Sequence, residues 1–478
     1  MLTDIANGRL SLWRRVRAHA VPPSMIGTAT ARREAGDWAG ACAAARVDVD
    51  LDLRTLSRRY GRDFAALLRS DLRRLAPDLL RWHLPRIAPD GLLRPGLTVP
   101  LVHYDVGGGG SADGLGAAGR GRVSLVVRTD PAWADAGQRL SLALWDPSAR
   151  DAASRRHPHP SPSRRHRLDL HRHLWDATRS GELPARSTDG RPPADRDARP
   201  EPLRALPSGR RYDVGRWADE AGLLLEAEGH GPAGSVLVRL GGRDRMLLDV
   251  ARDGAGSWRI TDARRPRQAT AADPPVLPDA ATWVPPDRDL LAAGLVEPHA
   301  LHPLVAAALA PGHLPAPAAT PARRAEEPGV VDCRGALHRI GQVDGVLAPL
   351  DHDPVELRRE ALLVALGGPP LPCLRAVDEA LRTPECLPGV RERLAHGDAD
   401  GALEIVTTLL GPQAVLREGE LLDTLAAAVD QRIVRGLYRA GLSVSDRLDG
   451  APRHVPAAPT TPSHRRAVRR RAGEAAHR

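Results

Sequence analysis

The sequence predicts an α+β protein: an N-terminal helical segment, then an antiparallel β meander, then a mostly helical C-terminal domain. Three observations predict it. Apolar residues recur at helical spacing up to about residue 95, with Leu56, Tyr60, Phe64, Leu67, Leu68 and Leu72 as the longest run. From about residue 97 the period becomes two, as in QRLSLALWD, where Leu140, Leu142 and Leu144 share a face. A Pro/Ala stretch over 311–329, PGHLPAPAATPARRAEEPG, then separates off a second block of helical spacing.

In chain order, Ser24 is placed to cap a helix ending at Gly36, and Asp37 to cap the next. The two make an αα-hairpin around a Gly-Asp turn. Further helices are expected in RTLSRRYGRDFAALLRSDLRRL and PDLLRWHLPRI, and strands in GLTVPLVHY, GRVSLVVRT and QRLSLALWD. Residues 147–212 lose all periodicity, are rich in Arg, Pro, Ser and Asp, and read as a long loop or disordered insert. SVLVRL-GGRD-RMLLDV and SWRITD give three more strands, with LLLEAEG as a fourth if it pairs. Helical signals return in DRDLLAAGL and HPLVAAALA. Past the linker, VVDCRGALHRI and GVLAPLD suggest a small hairpin, and helices fill 354–441. The expected division is a helical region 1–95, an α+β region 96–310, the linker 311–329, a domain over 330–455 and a basic disordered tail 456–478.

Composition narrows the chemistry. The chain has 478 residues and no lysine, so all 68 basic residues are arginine. Asparagine occurs once (Asn7), phenylalanine once (Phe64) and isoleucine seven times, the pattern of a high-GC bacterial genome. Without lysine, a P-loop NTPase, a protein kinase, a PLP enzyme and an S-x-x-K hydrolase all lose an essential group. The net charge is only +9, and acidic residues are mixed among the arginines, which argues against a nucleic-acid surface. Cysteines stand at 42, 333, 373 and 386 with no C-x-x-C. There is no signal-peptide h-region and no apolar run of about 18 residues, so the expected location is cytoplasmic, with reduced thiols and no membrane partner.

Several clusters invite chemistry. HPHPSPSRRHRLDLHRH, residues 157–173, holds five histidines. In an extended segment Asp169, His171 and His173 share a face and would make a two-His-one-carboxylate set. Arg164, Arg165, Arg167 and Arg172 would repel a cation there, so these three are weak metal candidates and a polar loop is the plainer reading. G-x-G-x-x-G at Gly114, Gly116 and Gly119 precedes a strand instead of a helix, so it reads as a hairpin loop. VDVDLDL aligns Asp48, Asp50 and Asp52 but lacks the EF-hand glycine and glutamate; one cap and two exposed acids are expected. In LDHDPVE, Asp353 suits an N-cap, Pro354 the first helical position and Glu356 the first turn. Cys333 and His338, taken on a straight strand, face opposite sides, and His352 reaches Cys333 only through tertiary folding. No catalytic or cofactor-binding residue is assigned and no cofactor is expected.

Two C-terminal segments, HGDADGALEIVTTLLGPQAVLREGELLDTLAAA and DQRIVRGLYRAGLSVSDRLDGAPRH, resemble degenerate ankyrin repeats. They lack T-P-L-H and number about two. ATARREAGDWAGACAAARVDV, LAPDLLRWHLPRI, and CRGALHRI followed by LDHDPVELRREALLVALGG resemble a family of uncharacterised actinobacterial proteins. That resemblance implies protein partners, among them a MoxR-type AAA ATPase and a von Willebrand A-domain protein, and supplies no catalytic residues. The expectation is a non-catalytic interaction or adaptor protein, accessory to such an ATPase system. The alternatives are a metal-assisted enzyme or effector and an arginine-rich nucleic-acid binder.

Overall fold

The structure, a computed structural model, describes residues 2–106, 121–148, 157–188, 201–204, 206–207, 211–242, 244–265, 274–312 and 329–442. The fold is mixed α+β and divides into two compact units, one within Met1–Pro315 and one within Ala316–Ala451. The division falls inside the Pro/Ala stretch. The glycine-rich run with Gly114, Gly116 and Gly119, most of the linker and the basic tail lie outside the described residues.

The N-terminal unit opens with α1 (Leu2–His19), α2 (Pro23–Glu34) and α3 (Trp38–Ala44). Asp37 caps α3 by accepting from the Gly40 amide, as its position suggests. Ser24 does not cap α2: Pro22 is the cap residue and Pro23 takes the first helical position. β1 (Val47–Asp50), α4 (Leu53–Tyr60), α5 (Arg62–Arg74) and α6 (Pro77–His83) follow. The long apolar run is thus two helices, because Gly61 adopts φ +96° and ends the first. One consequence is that Leu67 leaves the common stripe and is 59% exposed.

β2 (Thr98–Val106), β3 (Gly121–Thr129) and β4 (Leu140–Trp145) form the expected antiparallel meander. β1 adds to the far edge of β4 in parallel, giving the order β1-β4-β3-β2. Of the three acids there, Asp52 caps α4, while Asp48 pairs with Arg139 across the β1–β4 edge. Leu68, Leu72, Leu79, Leu80 and Trp82 from α5 and α6 pack with Val99, Leu101, Leu125, Val127 and Leu140 in one core.

α7 (Trp217–Ala227) contains LLLEA, so that stretch is helix and not a fourth strand. Trp217, Ala221, Leu224 and Leu225 bury one helical face against Val236, Val238, Leu248 and Val250. Those belong to the second meander, β5 (Ala233–Gly241), β6 (Asp244–Arg252) and β7 (Trp258–Arg264). α8 (Pro286–Ala292) and α9 (Pro303–Leu309) complete the unit.

Residues 157–188, expected as loop or disorder, are aperiodic yet packed. Trp175 and Asp176 are fully buried, and Leu168, Leu174 and Leu183 join the first core. Their backbone groups are satisfied outside any ladder: the Ala76 amide donates to Trp175 O at 2.8 Å, the Ala177 amide to Arg74 O at 2.9 Å and the Trp175 indole to Leu168 O at 2.9 Å.

The C-terminal unit carries a three-stranded antiparallel sheet, β8 (Gly329–Cys333), β9 (Ala336–Val343) and β10 (Val346–Pro349), in the order β10-β9-β8. Five helices follow: α10 (Pro354–Ala365), α11 (Pro372–Arg382), α12 (Leu387–Ala395), α13 (Ala399–Leu410) and α14 (Glu420–Ala440). α12 and α13 repeat the device of α2 and α3. Gly397 at φ +83° makes the turn and Asp398 accepts from the Gly401 amide. The two segments compared with ankyrin repeats meet inside one continuous helix, since α14 runs unbroken from Glu420 through Ile433 and Val434. Among the described residues, no helix is long and apolar enough to cross a membrane.

Candidate metal centre

The histidine-rich stretch builds a buried polar knot. His103 on β2 meets Asp169 at 3.2 Å, and Arg167 holds the same carboxylate at 2.8 Å. His171 donates from Nδ1 to Arg167 O (2.9 Å) and faces Glu220 of α7 through Nε2 (3.1 Å). Arg186 binds Glu220 at 2.7 Å, and the His173 ring stands edge-on to His171 at 5.8 Å. Asp169 therefore points to Arg167 and His103, and His171 to Glu220; the three weak metal candidates are not brought into one ligand set. Each carboxylate already carries a guanidinium, which a cation would have to displace.

Electrostatics follow from that burial. Desolvation opposes ionisation of Asp169, but the bonds and charges of His103 and Arg167 outweigh it and hold the carboxyl down to about 2. For Glu220, His171 and Arg186 do the same, also to about 2. Burial keeps His166 neutral down to about 4, and it pushes His173 and His83 well below the usual imidazole value. His173 also feels His171, Arg186 and His83, and His83 feels Arg17 and His302.

The N-terminal unit should accordingly lose stability on acidification in two stages. Below about pH 6.5 the unfolded chain protonates these three histidines while the fold resists. Each then costs about 1.4 kcal/mol per pH unit until its folded value is reached. Asp169 and Glu220 stabilise the fold above their unfolded values near pH 4, and that contribution is lost as the pH falls toward 2. Thermal melts of this unit from pH 7.5 to 4.5 should show a midpoint falling steadily below pH 6.5. A flat midpoint would mean that the histidines are not held neutral.

In the C-terminal unit a different set converges. Cys333 ends β8, His352 sits in the turn before α10, and Cys373 lies in the first turn of α11. Their ligand atoms all lie within 4.8 Å of one another, and among the described residues this is the one such group of three. Cys333 and Cys373 are 2% and 0% exposed, and the His352 side chain 7%. Tetrahedral zinc has Zn–S of about 2.3 Å and Zn–N of about 2.0–2.1 Å, so ligand atoms sit roughly 3.5–3.8 Å apart. The cluster is pre-formed to within roughly an ångström of that.

Local sequence explains the convergence. Leu350 donates its amide to Arg339 O at 2.8 Å, and Asp351 accepts from the Arg339 amide and guanidinium, each at 2.7 Å, which pins the turn beside β9. Asp353 caps α10 through the Val355 amide and Pro354 opens the helix, as their order in LDHDPVE suggests. One turn in, Glu356 reaches back to His352 Nδ1 at 3.4 Å. That leaves Nε2 buried without a partner. A carboxylate on one imidazole nitrogen with the other free is the usual support of a metal-ligating histidine.

The strand-parity expectation for Cys333 and His338 is corrected here. A two-residue turn, Arg334-Gly335, reverses the chain between them. Cys333 lies opposite Ala336 and Val331 opposite His338, so both side chains stand on one face of the hairpin. The His338 ring stacks on His352, with centroids 4.2 Å apart and planes 22° from parallel, and its Nδ1 is buried without a partner.

The other cysteines are differently placed. Burial, then Asp37, pushes the Cys42 thiol up to about 12, far from a nucleophile's range. Cys386 lies outside the cluster. Compared with protein-family models, curated proteins and solved structures, the chain matches none.

Proposed function

We propose that the C-terminal unit is a zinc-binding module and that the chain acts through it as a non-catalytic protein-interaction or adaptor protein. The carrying observation is the buried convergence of Cys333, His352 and Cys373, with Glu356 behind the histidine. Two soft thiolates and an imidazole select zinc over hard cations such as magnesium or calcium. A reduced, cytoplasmic compartment fits thiols that must stay available as ligands. The metal's task in this reading is to fix the hairpin, the turn and the start of α11 in one arrangement.

A second observation favours partner binding. α10 has no buried residue, although it carries Leu362 and Leu363, 66% and 51% exposed, and ends at the cap residue Leu366, 86% exposed. Leu337 of β9 is 75% exposed as well. Apolar side chains left in water at this density mark an interaction surface. The ankyrin-like resemblance belongs to the same reading: the α12–α13 hairpin supplies one helix pair of the kind such arrays stack. A MoxR-type ATPase and its von Willebrand A-domain protein are the first partners to try, on resemblance alone.

Purified untagged full-length protein should contain one zinc per chain by elemental analysis, and the Cys373→Ser variant should contain little. Substoichiometric metal in the wild type would overturn the metal reading. The same two preparations, used as bait for those two proteins, test the rest. Capture by the wild type and loss in the variant supports it, and no capture by either removes these partners.

A further inference from the structure

The three-ligand set leaves open whether zinc keeps a fourth position for water or substrate. Structural sites are closed by four protein ligands, and catalytic sites are not. Three observations bear on this. His338 shares the hairpin face of Cys333, two rungs along the ladder. Its ring lies directly on His352, and each histidine has one buried nitrogen with no partner, Nδ1 of His338 and Nε2 of His352. Among the described residues, the carboxylates next to these ligands in sequence are engaged: Glu356 with His352, Asp351 with Arg339, Asp353 with the α10 cap and Asp332 with the Gly335 amide. Among the described residues, none of these four carboxylates would be free to act on water bound to an open zinc.

Charge disfavours an ionised fourth ligand. Two thiolates and two neutral imidazoles around Zn²⁺ sum to zero, which suits a site this buried. A zinc-bound hydroxide would add an uncompensated negative charge.

Resting on the zinc reading above, we propose that His338 is the fourth ligand, closing a Cys₂His₂ set of Cys333, His338, His352 and Cys373. His338 reaches the ion by turning about its own side-chain bonds, since the hairpin register already aims it at the right face. The site is then structural, with no position for substrate.

The test uses the full-length chain loaded with Zn²⁺ or Co²⁺. Long-range ¹H–¹⁵N spectra of the zinc form should show two histidines with metal-ligated nitrogens. The visible spectrum of the cobalt form should not respond to azide. In His338→Ala the ligated histidine count should fall to one, zinc affinity should drop at least about tenfold, and azide should now perturb the cobalt bands. His338→Cys should restore affinity and add thiolate-to-cobalt charge transfer, which keeps the test informative if the alanine variant folds poorly. A wild-type cobalt form that responds to azide, with one ligated histidine, would overturn the closed set and leave the three-ligand site standing. A wild type that takes up neither metal would overturn both.

Discussion

Chelation of zinc should unfold the C-terminal unit and leave the N-terminal unit intact. The reason is how little else holds the small sheet. The cluster beneath β8 consists of Cys333, Leu371 and Cys373, with Val331, Leu357 and Leu374 partly buried around it. The other buried cluster, Leu381, Leu387, Val390, Ala402, Val406, Leu410 and Leu421, belongs to the helices from α11 onward. Ile340 and Pro349 are the further buried residues of the sheet. Small units with thin cores are commonly held by a metal or disulfides, and all four cysteines are free thiols. Structural zinc contributes an apparent binding free energy on the order of 10–16 kcal/mol at neutral pH, which exceeds the stability of a typical small domain. Calorimetry of the wild type should show two transitions. Phenanthroline, or Cys333→Ser with Cys373→Ser, should abolish the C-terminal one and leave the other within a degree or two. Two unchanged transitions in the double variant would rule out the metal as the staple.

The sequence disclosed more of the scaffold than of this site, for a definable reason. Strands β2 to β7 announce themselves by alternation, and the Asp37 and Asp353 caps by residue type, because these signals are local. β1 is four residues long and pairs with a strand far along the chain, so in sequence VDVD reads as an acid cluster. Residues 157–188 have no period because their backbone bonds run to scattered loop and helix-end groups, and periodicity detects ladders only. At the site, Cys333 and His338 face opposite sides only if the strand is straight. The Arg334-Gly335 turn, with φ +59° and +87°, was the available signal that the chain reverses between them and restores a common face. Cys373 had no local signal at all: it follows a helix and a loop, and only tertiary folding delivers it to Cys333. The histidine-dense stretch drew attention by composition. The ligand-like arrangement instead forms from three residues far apart in sequence, at the end of a strand, in a turn and in the first turn of a helix.

In the N-terminal unit the largest single-residue effect should come from Arg17. Its guanidinium meets Asp287 of α8 through Nε at 2.7 Å and its outer nitrogen at 2.9 Å, and donates to Trp82 O at 2.7 Å. It also lies 4.3 Å over the Trp82 ring, and the indole itself donates to Asp287 at 3.2 Å. The two charged side chains are 3% and 0% exposed, although 270 residues apart in sequence. Arg17→Met would fill much of the volume but leave the Asp287 carboxyl buried without its cation, with the Trp82 indole beside it. Breaking one side of a buried pair costs about 3–5 kcal/mol, a large share of the roughly 5–15 kcal/mol available to a domain. Arg17→Met/Asp287→Leu should recover most of that loss, because the desolvation of both charges is removed together. Tryptophan-detected denaturant titrations of the wild type, both single variants and the double variant give the coupling. If the single variants cost under about 1 kcal/mol, water must reach the pair. If the double variant is as unstable as the singles, the Trp82 carbonyl and ring contacts, and not the charge pairing, are what α1 contributes to this core.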